Sequence, residues 1–249
     1  MLTTAPLDTA QADAAQADTE PTTSAVTISR APLSRSEVAE LNARLEGSHP
    51  SEIIRWAVER FGTGLCMTTS FSDTLLIDLA TSVDPDIEVI FLDTGFHFAE
   101  TIQTQREAQA RYALNLRVVR PSADAADVWA DGADACCRDR KVRPLEEALL
   151  DGHTAWISGL RRADGADRAE TPIVEIDRRG LVKINPIAAW SDDEVATHSA
   201  ERGVIVNPLA DEGYASIGCW PCTEPPVEGE DRRAGRWAGL DKTECGIHL

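Results

Sequence analysis

Short apolar runs alternate with helix-patterned stretches along the middle of this chain, and that alternation limits its fold more than any other feature. Residues 65–69 read as a short buried strand, 75–79 as helix, 87–92 as a second strand, 98–112 as helix and 116–119 as a third strand. The pattern resumes with a helix over 136–150, a strand over 155–158, a hairpin over 173–184 around Arg179-Gly180, and a capped helix over 191–202. Upstream, Ser34-Arg35-Ser36-Glu37 is a capping-box pattern that starts one helix, and residues 51–61 form a second. Strands separated by helices imply an α/β fold with a mostly parallel sheet and helices on both faces. Ligands of such sheets bind beyond the carboxyl ends of the strands.

The 249 residues are 43% apolar, enough to fill one substantial core. Residues 1–33 are rich in Ala, Thr, Asp and Gln and read as a disordered acidic tail, because few large side chains are available to offset ordering entropy. Residues 34–224 then form the folded domain. Beyond it, 225–249 carries Pro225, Pro226, Gly229, Gly235 and Gly239 with little apolar periodicity, which predicts a mobile C-terminal tail. With 24 basic against 42 acidic residues, the net charge of -18 argues against partners made of nucleic acid or acidic membrane. No apolar run approaches the ~20 residues of a membrane span, and no secretory signal opens the chain, so a cytoplasmic location is expected.

In that reducing setting the six cysteines read as metal ligands or catalytic thiols. Cys136-Cys137 with Cys219-x-x-Cys222 supplies four thiolates, a set suited to zinc or an iron–sulfur cluster. The vicinal pair is expected to open the helix over 136–150, so that both sulfurs face one centre. Arg138, Arg140, Lys141 and Arg143 stand close enough in sequence to offset the negative charge. Cys66 lies in an apolar strand and reads as a buried small residue, and His97, His153 and His198 as surface or satisfied core histidines. Cys245 remains, a lone thiol near the chain end, placed to attack a substrate and be released by an outside partner.

Two βα turns offer anion sites. Ser70-Phe71-Ser72-Asp73-Thr74 puts hydroxyls where a strand gives way to a helix, although a serine-rich helix cap is the plainer reading. The next turn places Asp93, Thr94 and Gly95 at a strand end, and a third strand end carries Ser158-Gly159-Leu160-Arg161-Arg162, followed by Arg168. Arg232, Arg233 and Arg236 lie beyond Cys222. Guanidinium forks suit phosphate and sulfate oxygens, whereas pairing with Asp164, Asp167 and Asp231 is the alternative use.

On these motifs, with Gly218, Gly235-Arg236-Trp237 and the closing Glu244-Cys245-Gly246-Ile247-His248-Leu249, the chain resembles the assimilatory sulfonucleotide reductases. The match covers roughly residues 50–249 and points to the branch that uses adenylylsulfate (APS). The resemblance implies a parallel-sheet, adenine-nucleotide α-hydrolase-like (PP-loop) domain and one 4Fe-4S cluster per chain on Cys136, Cys137, Cys219 and Cys222. It implies substrate binding by Ser70, Ser72, Asp93, Gly95, Lys141, Gly159, Arg162, Arg168, Arg233 and Arg236, with Cys245 as the nucleophile. The implied reaction reduces APS to sulfite and AMP through an S-sulfocysteine, in sulfate assimilation and cysteine biosynthesis. Reduced thioredoxin or a glutaredoxin-like donor is the implied partner, and a homo-oligomer is compatible with it. Here the 70–74 loop is shorter than the common version. A reductase of 3'-phosphoadenylylsulfate (PAPS) and a four-cysteine zinc-binding module are the alternatives. An ATP pyrophosphatase is disfavoured because its loop is glycine-rich and 70–74 contains no glycine.

Overall fold

The structure is a computed structural model and describes residues 33–227, 229–240 and 242–248, together with Met1. The expected disordered tail lies outside the described residues, except for Met1 and for Leu33, whose side chain is buried in the core. Two helices lead into the sheet: α1 (Arg35–Leu45), closed at its start by the Ser34–Glu37 capping box, and α2 (Pro50–Phe61), which begins on proline. There follow β1 (Leu65–Thr69), α3 (Leu75–Val83), β2 (Glu88–Leu92), α4 (Ala99–Tyr112) and β3 (Asn115–Val119). After a loop come α5 (Gly132–Cys137), α6 (Arg143–Leu150), β4 (Ala155–Ile157), the hairpin β5 (Val174–Ile176) and β6 (Val182–Ile184), and α7 (Asp192–Arg202).

The six strands form one sheet in the order β3-β2-β1-β4-β6-β5, parallel except for β5, which pairs antiparallel with β6. Strand alternation divides the core between the two faces. Leu65 and Met67 of β1 pack with α2 and α3 in the larger cluster, whereas Cys66 joins Trp156, Leu145 and Leu149 beneath α6. The chain leaves β1 towards β2 on one side, and β4 lies on the other, so the loops after β1 and β4 part there. That switch point opens a crevice at the carboxyl ends. Among the described residues, no helix is long and apolar enough to cross a membrane.

The expected helix over 136–150 is subdivided. Cys136 and Cys137 close α5 instead of opening a helix, and Arg138–Val142 follows as one π-helical stretch before α6. Neighbouring side chains on a regular helix diverge by about 100°. A widened turn directly after the cysteine pair changes the phase of everything downstream, Lys141 included.

Candidate active site

The 70–74 loop connects β1 to the start of α3, and the segment over 205–207 staples it in place. Thr74 N–H donates to Ile205 O at 2.9 Å and its Oγ1 accepts from Ile205 N–H at 2.9 Å, while Asn207 N–H donates to Ser72 O at 3.1 Å. Asn207, fully buried, also donates from Nδ2 to Phe71 O and Thr101 Oγ1. Phe71 lies in the left-handed region (φ 53°), where a bulky residue is strained. Its ring is held edge-on to Phe91 with centroids 5.0 Å apart. The loop therefore exposes Ser70 and Ser72, whose Oγ atoms stand 3.1 Å apart, to a cavity of about 600 Å³. This size falls within the range of small-molecule sites.

Gly159, Arg161, Arg168, Arg232, Arg233, Arg236 and Lys141 line the same cavity. Arg161 is occupied by Asp164 (2.8 Å) and Asp192 (2.9 Å), and Arg232 also holds Asp192. Arg236 is less satisfied: it donates to Ser216 Oγ and Ile217 O, but its buried Nε has no hydrogen-bond partner among the described residues. Its guanidinium lies so close to Gly218 that a Cβ there would collide with it. Burial lowers the pKa of Arg236, and burial together with the nearby Arg168 charge lowers that of Arg233. Arg236 has no carboxylate partner among the described residues, a state that an arriving oxyanion relieves.

Beside this cavity, Cys136, Cys137, Cys219 and Cys222 line a second, smaller pocket. Lys141, Arg236 and Trp237 line both and form the partition. Among the described residues, no three His, Cys, Asp or Glu side chains are disposed to hold a single metal ion. Burial and the neighbouring thiols Cys137 and Cys219 push the Cys136 thiol up to about 11. Burial would pull Lys141 down, but the negative field of Cys219, Cys245 and Cys137 outweighs it and leaves its pKa raised. The donor set of four thiols beside a cation is thus assembled from segments far apart in the chain.

Cys245 also lines the main cavity, half-buried, and the tail that carries it is docked there. Trp237 N–H donates to Cys222 O at 2.9 Å, and Lys242 Nζ pairs with Asp134 of α5 at 2.5 Å. Glu244 is held by Arg168 and Arg233, Ile247 packs on the smaller core cluster, and His248 stacks on Trp156 at 6.0 Å. Gly246 (φ 89°) makes the reversal between Cys245 and Ile247 without strain. Cys66, fully buried with its sulfur near Ala155 O, is remote from solvent, and burial raises its pKa strongly.

Three expected substrate residues are placed differently. Arg162 points away from the cavity: its guanidinium forks onto Glu46 at 2.6 and 2.9 Å, and Nε donates to Thr171 O. The backbone at Arg161 is extended, so consecutive side chains point oppositely and only Arg161 reaches the cavity. Asp93 accepts from Gly95 N–H and pairs with Arg120 at 3.0 Å, and Gly95 faces Arg140; neither lines the cavity. Their turn supports the cysteines instead. Thr94 Oγ1 lies 3.3 Å from Cys219 Sγ, Phe96 O accepts from Trp220 N–H, and His97 bridges Cys219. Arg138 and Arg143 pair with Asp139 at the surface, whereas Arg140 donates to Thr94, Ala125 and Ala126 carbonyls under Phe96. His97 is satisfied by Leu92 O, and His198 by Asp78. Sequence reading passed over Asn207, Trp156 and Glu244; only Glu244 carried a signal, its place beside Cys245.

A parallel α/β domain with serine hydroxyls and arginines at its switch point belongs to the adenine-nucleotide α-hydrolase-like (PP-loop) class. The chain is a member of the phosphoadenosine phosphosulfate reductase domain family, whose model matches residues 65–225. It is 46% identical over 215 residues to an adenosine 5'-phosphosulfate reductase of Mycobacteroides abscessus, covering 83% of this chain and 90% of the relative. It is 48% identical to the Streptomyces coelicolor protein of the same name, over 82% of this chain and 90% of that one. Among solved structures, a phosphoadenylyl-sulfate reductase from Candida auris in a phosphate complex superposes with a TM-score of 0.70 at 29% identity, covering 78% of this chain and 99% of that chain. An FMN adenylyltransferase of Candida glabrata, at 13% identity, TM-score 0.55 and coverage of 82% and 73%, shares the fold.

Proposed function

We propose that this enzyme reduces APS to sulfite and AMP, with Cys245 as the nucleophile. The observation that carries the reading is that the Cys245 thiol opens into the cavity lined by Ser70, Ser72, Arg233 and Arg236. Relatives named for APS reduction, at 42–48% identity, support the substrate. In the first step Cys245 Sγ attacks the sulfur of APS, the bond from sulfur to the bridging oxygen breaks, and AMP leaves with that electron pair. Lys141 and the arginines offset the oxyanion charge that otherwise repels a thiolate. The enzyme then carries an S-sulfocysteine. A dithiol attacks Cys245 Sγ, sulfite departs, and the second thiol of the donor resolves the mixed disulfide, leaving the donor oxidised and Cys245 reduced. Reduced thioredoxin fits this role, because Cys66 is buried and the remaining cysteines face their own pocket. Such chemistry suits the reducing cytoplasm.

Cys136, Cys137, Cys219 and Cys222 would hold a 4Fe-4S cluster, a reading supported by the chemistry of four thiol donors lining one pocket with Lys141 and Arg140. When bound, the cluster supplies negative charge and bulk that tune the field at Lys141.

Mixing the reduced, thioredoxin-free enzyme with APS is expected to add about 80 Da to Cys245 as one sulfonate, and thioredoxin to remove it as sulfite. A label on Cys66, or an active Cys245→Ser enzyme, would overturn the mechanism. Equal kcat/KM for PAPS in the sulfite-release assay would move the substrate reading to the phosphorylated nucleotide.

A further inference from the structure

Glu244, the residue before the nucleophile, occupies the arginines expected to meet substrate. Arg168 donates to Glu244 Oε1 from Nε at 3.1 Å and Nη2 at 2.6 Å, and Arg233 Nη2 lies 3.2 Å from Oε2. The side chains of all three are largely shielded, at 14% exposure for Arg168 and 17% for Arg233 and Glu244, and all three line the main cavity. A carboxylate in this fork presents its oxygens as a sulfate or phosphate does. We infer that Glu244 is a placeholder for the substrate's oxyanion: in the substrate-free enzyme it holds Arg168 and Arg233, and substrate must displace it to bind.

The inference rests on the nucleotide reading above and extends it to the order of events. Glu244 and an incoming phosphosulfate cannot share both arginines, because their like charges would meet in a shielded space where screening is weak. The cavity of about 600 Å³ leaves room for the uncharged part of a nucleotide with the tail in place. Competition is therefore confined to the anionic end. Displacing Glu244 moves its neighbour Cys245, so arrival of the anion and repositioning of the thiol are one event. The last described residues of the tail are held by contacts separate from this fork. Arg179 Nη2 donates to Ile247 O at 3.3 Å, Ile247 packs on apolar core, and His248 stacks on Trp156. Glu244 is thus a positioning residue with two effects of opposite sign: it weakens ground-state binding and holds the thiol in register beforehand.

If the Glu244-held form accounts for about nine-tenths of the free enzyme, apparent affinity is reduced about tenfold. The test measures APS binding by calorimetry in a Cys245→Ser background, which prevents turnover, with Glu244 kept, changed to Gln or changed to Asp. Glu244→Gln, which keeps shape but loses charge, is expected to bind APS about tenfold more tightly, and Glu244→Asp to stay near the parent. With Cys245 restored, Glu244→Gln is expected to lower both KM and kcat, a split that general loosening would not produce. Parent-like or weaker APS binding by Glu244→Gln would overturn the inference and leave the proposed function standing. Failure of every variant, the parent included, to bind APS would overturn both.

Discussion

Arg161 and Arg162 are adjacent, identical in chemistry and opposite in use. The first lines the cavity and is saturated by Asp164 and Asp192, and the second ties the domain's first helix through Glu46. Arg236, distant in sequence, lines the same cavity with a buried Nε that has no hydrogen-bond partner among the described residues. Its unmet hydrogen-bonding capacity makes it the better anion ligand, because a new charge-assisted bond there replaces no existing one. Arg236→Ala is expected to weaken APS and AMP binding about tenfold or more, an effect of the size of one charge-assisted bond. Arg162→Ala should leave both affinities within about twofold and cost at most about 1 kcal/mol of stability, as partly exposed ion pairs do. Calorimetric titration of the two variants checks the contrast.

The docked tail is an element without regular secondary structure, held by side chains. Its final anchor is His248, half-buried against Trp156 and facing Lys183 of β6, Arg168 and Arg233 of the loops, and Arg179 of the hairpin. Burial, then those four cations, lowers its pKa well below the ordinary 6.5, so the docked form keeps His248 neutral. In an undocked tail the imidazole meets water and titrates normally. The undocked state therefore binds more protons below pH 6.5, and docking free energy, complete above that value, falls as pH is lowered through it. Proteolysis within residues 225–249 is expected to accelerate from pH 7.5 to pH 5.5 relative to a His248→Gln control measured at each pH. A constant ratio between the two proteins would contradict this coupling.

For the whole molecule, the cysteine pocket joins α5 to the segment over 219–222, and it shares Lys141, Arg236 and Trp237 with the main cavity. A group bound there ties together parts of the chain that the sheet does not connect. Anaerobically purified protein is expected to contain about four iron and four acid-labile sulfide per chain. Cys137→Ser should lose iron and melt at a lower temperature, because binding free energy contributes to folding free energy. One zinc per chain without visible absorbance would instead establish a mononuclear site.

The parallel sheet, the 70–74 loop, the four paired cysteines and the isolated Cys245 were legible in the sequence, because each rests on local information: apolar period, turn chemistry or cysteine spacing. Arg161 and Arg162 could not be told apart, since the direction of a side chain on an extended stretch depends on its phase against the neighbouring strand. Asp93 and Gly95 looked like nucleotide ligands by position, and only the return of Cys219 beside Thr94 and His97 shows that their turn supports the cysteine pocket. The tail's lack of periodicity led to an expectation of mobility, whereas its described residues lie docked against the domain. Its docking depends on partners brought near by the fold: Arg168 and Arg233 for Glu244, Asp134 for Lys242, Trp156 for His248. Local pattern determined which elements form and which residue types can do the chemistry; long-range contact, absent from any short window of sequence, decided which of them meet.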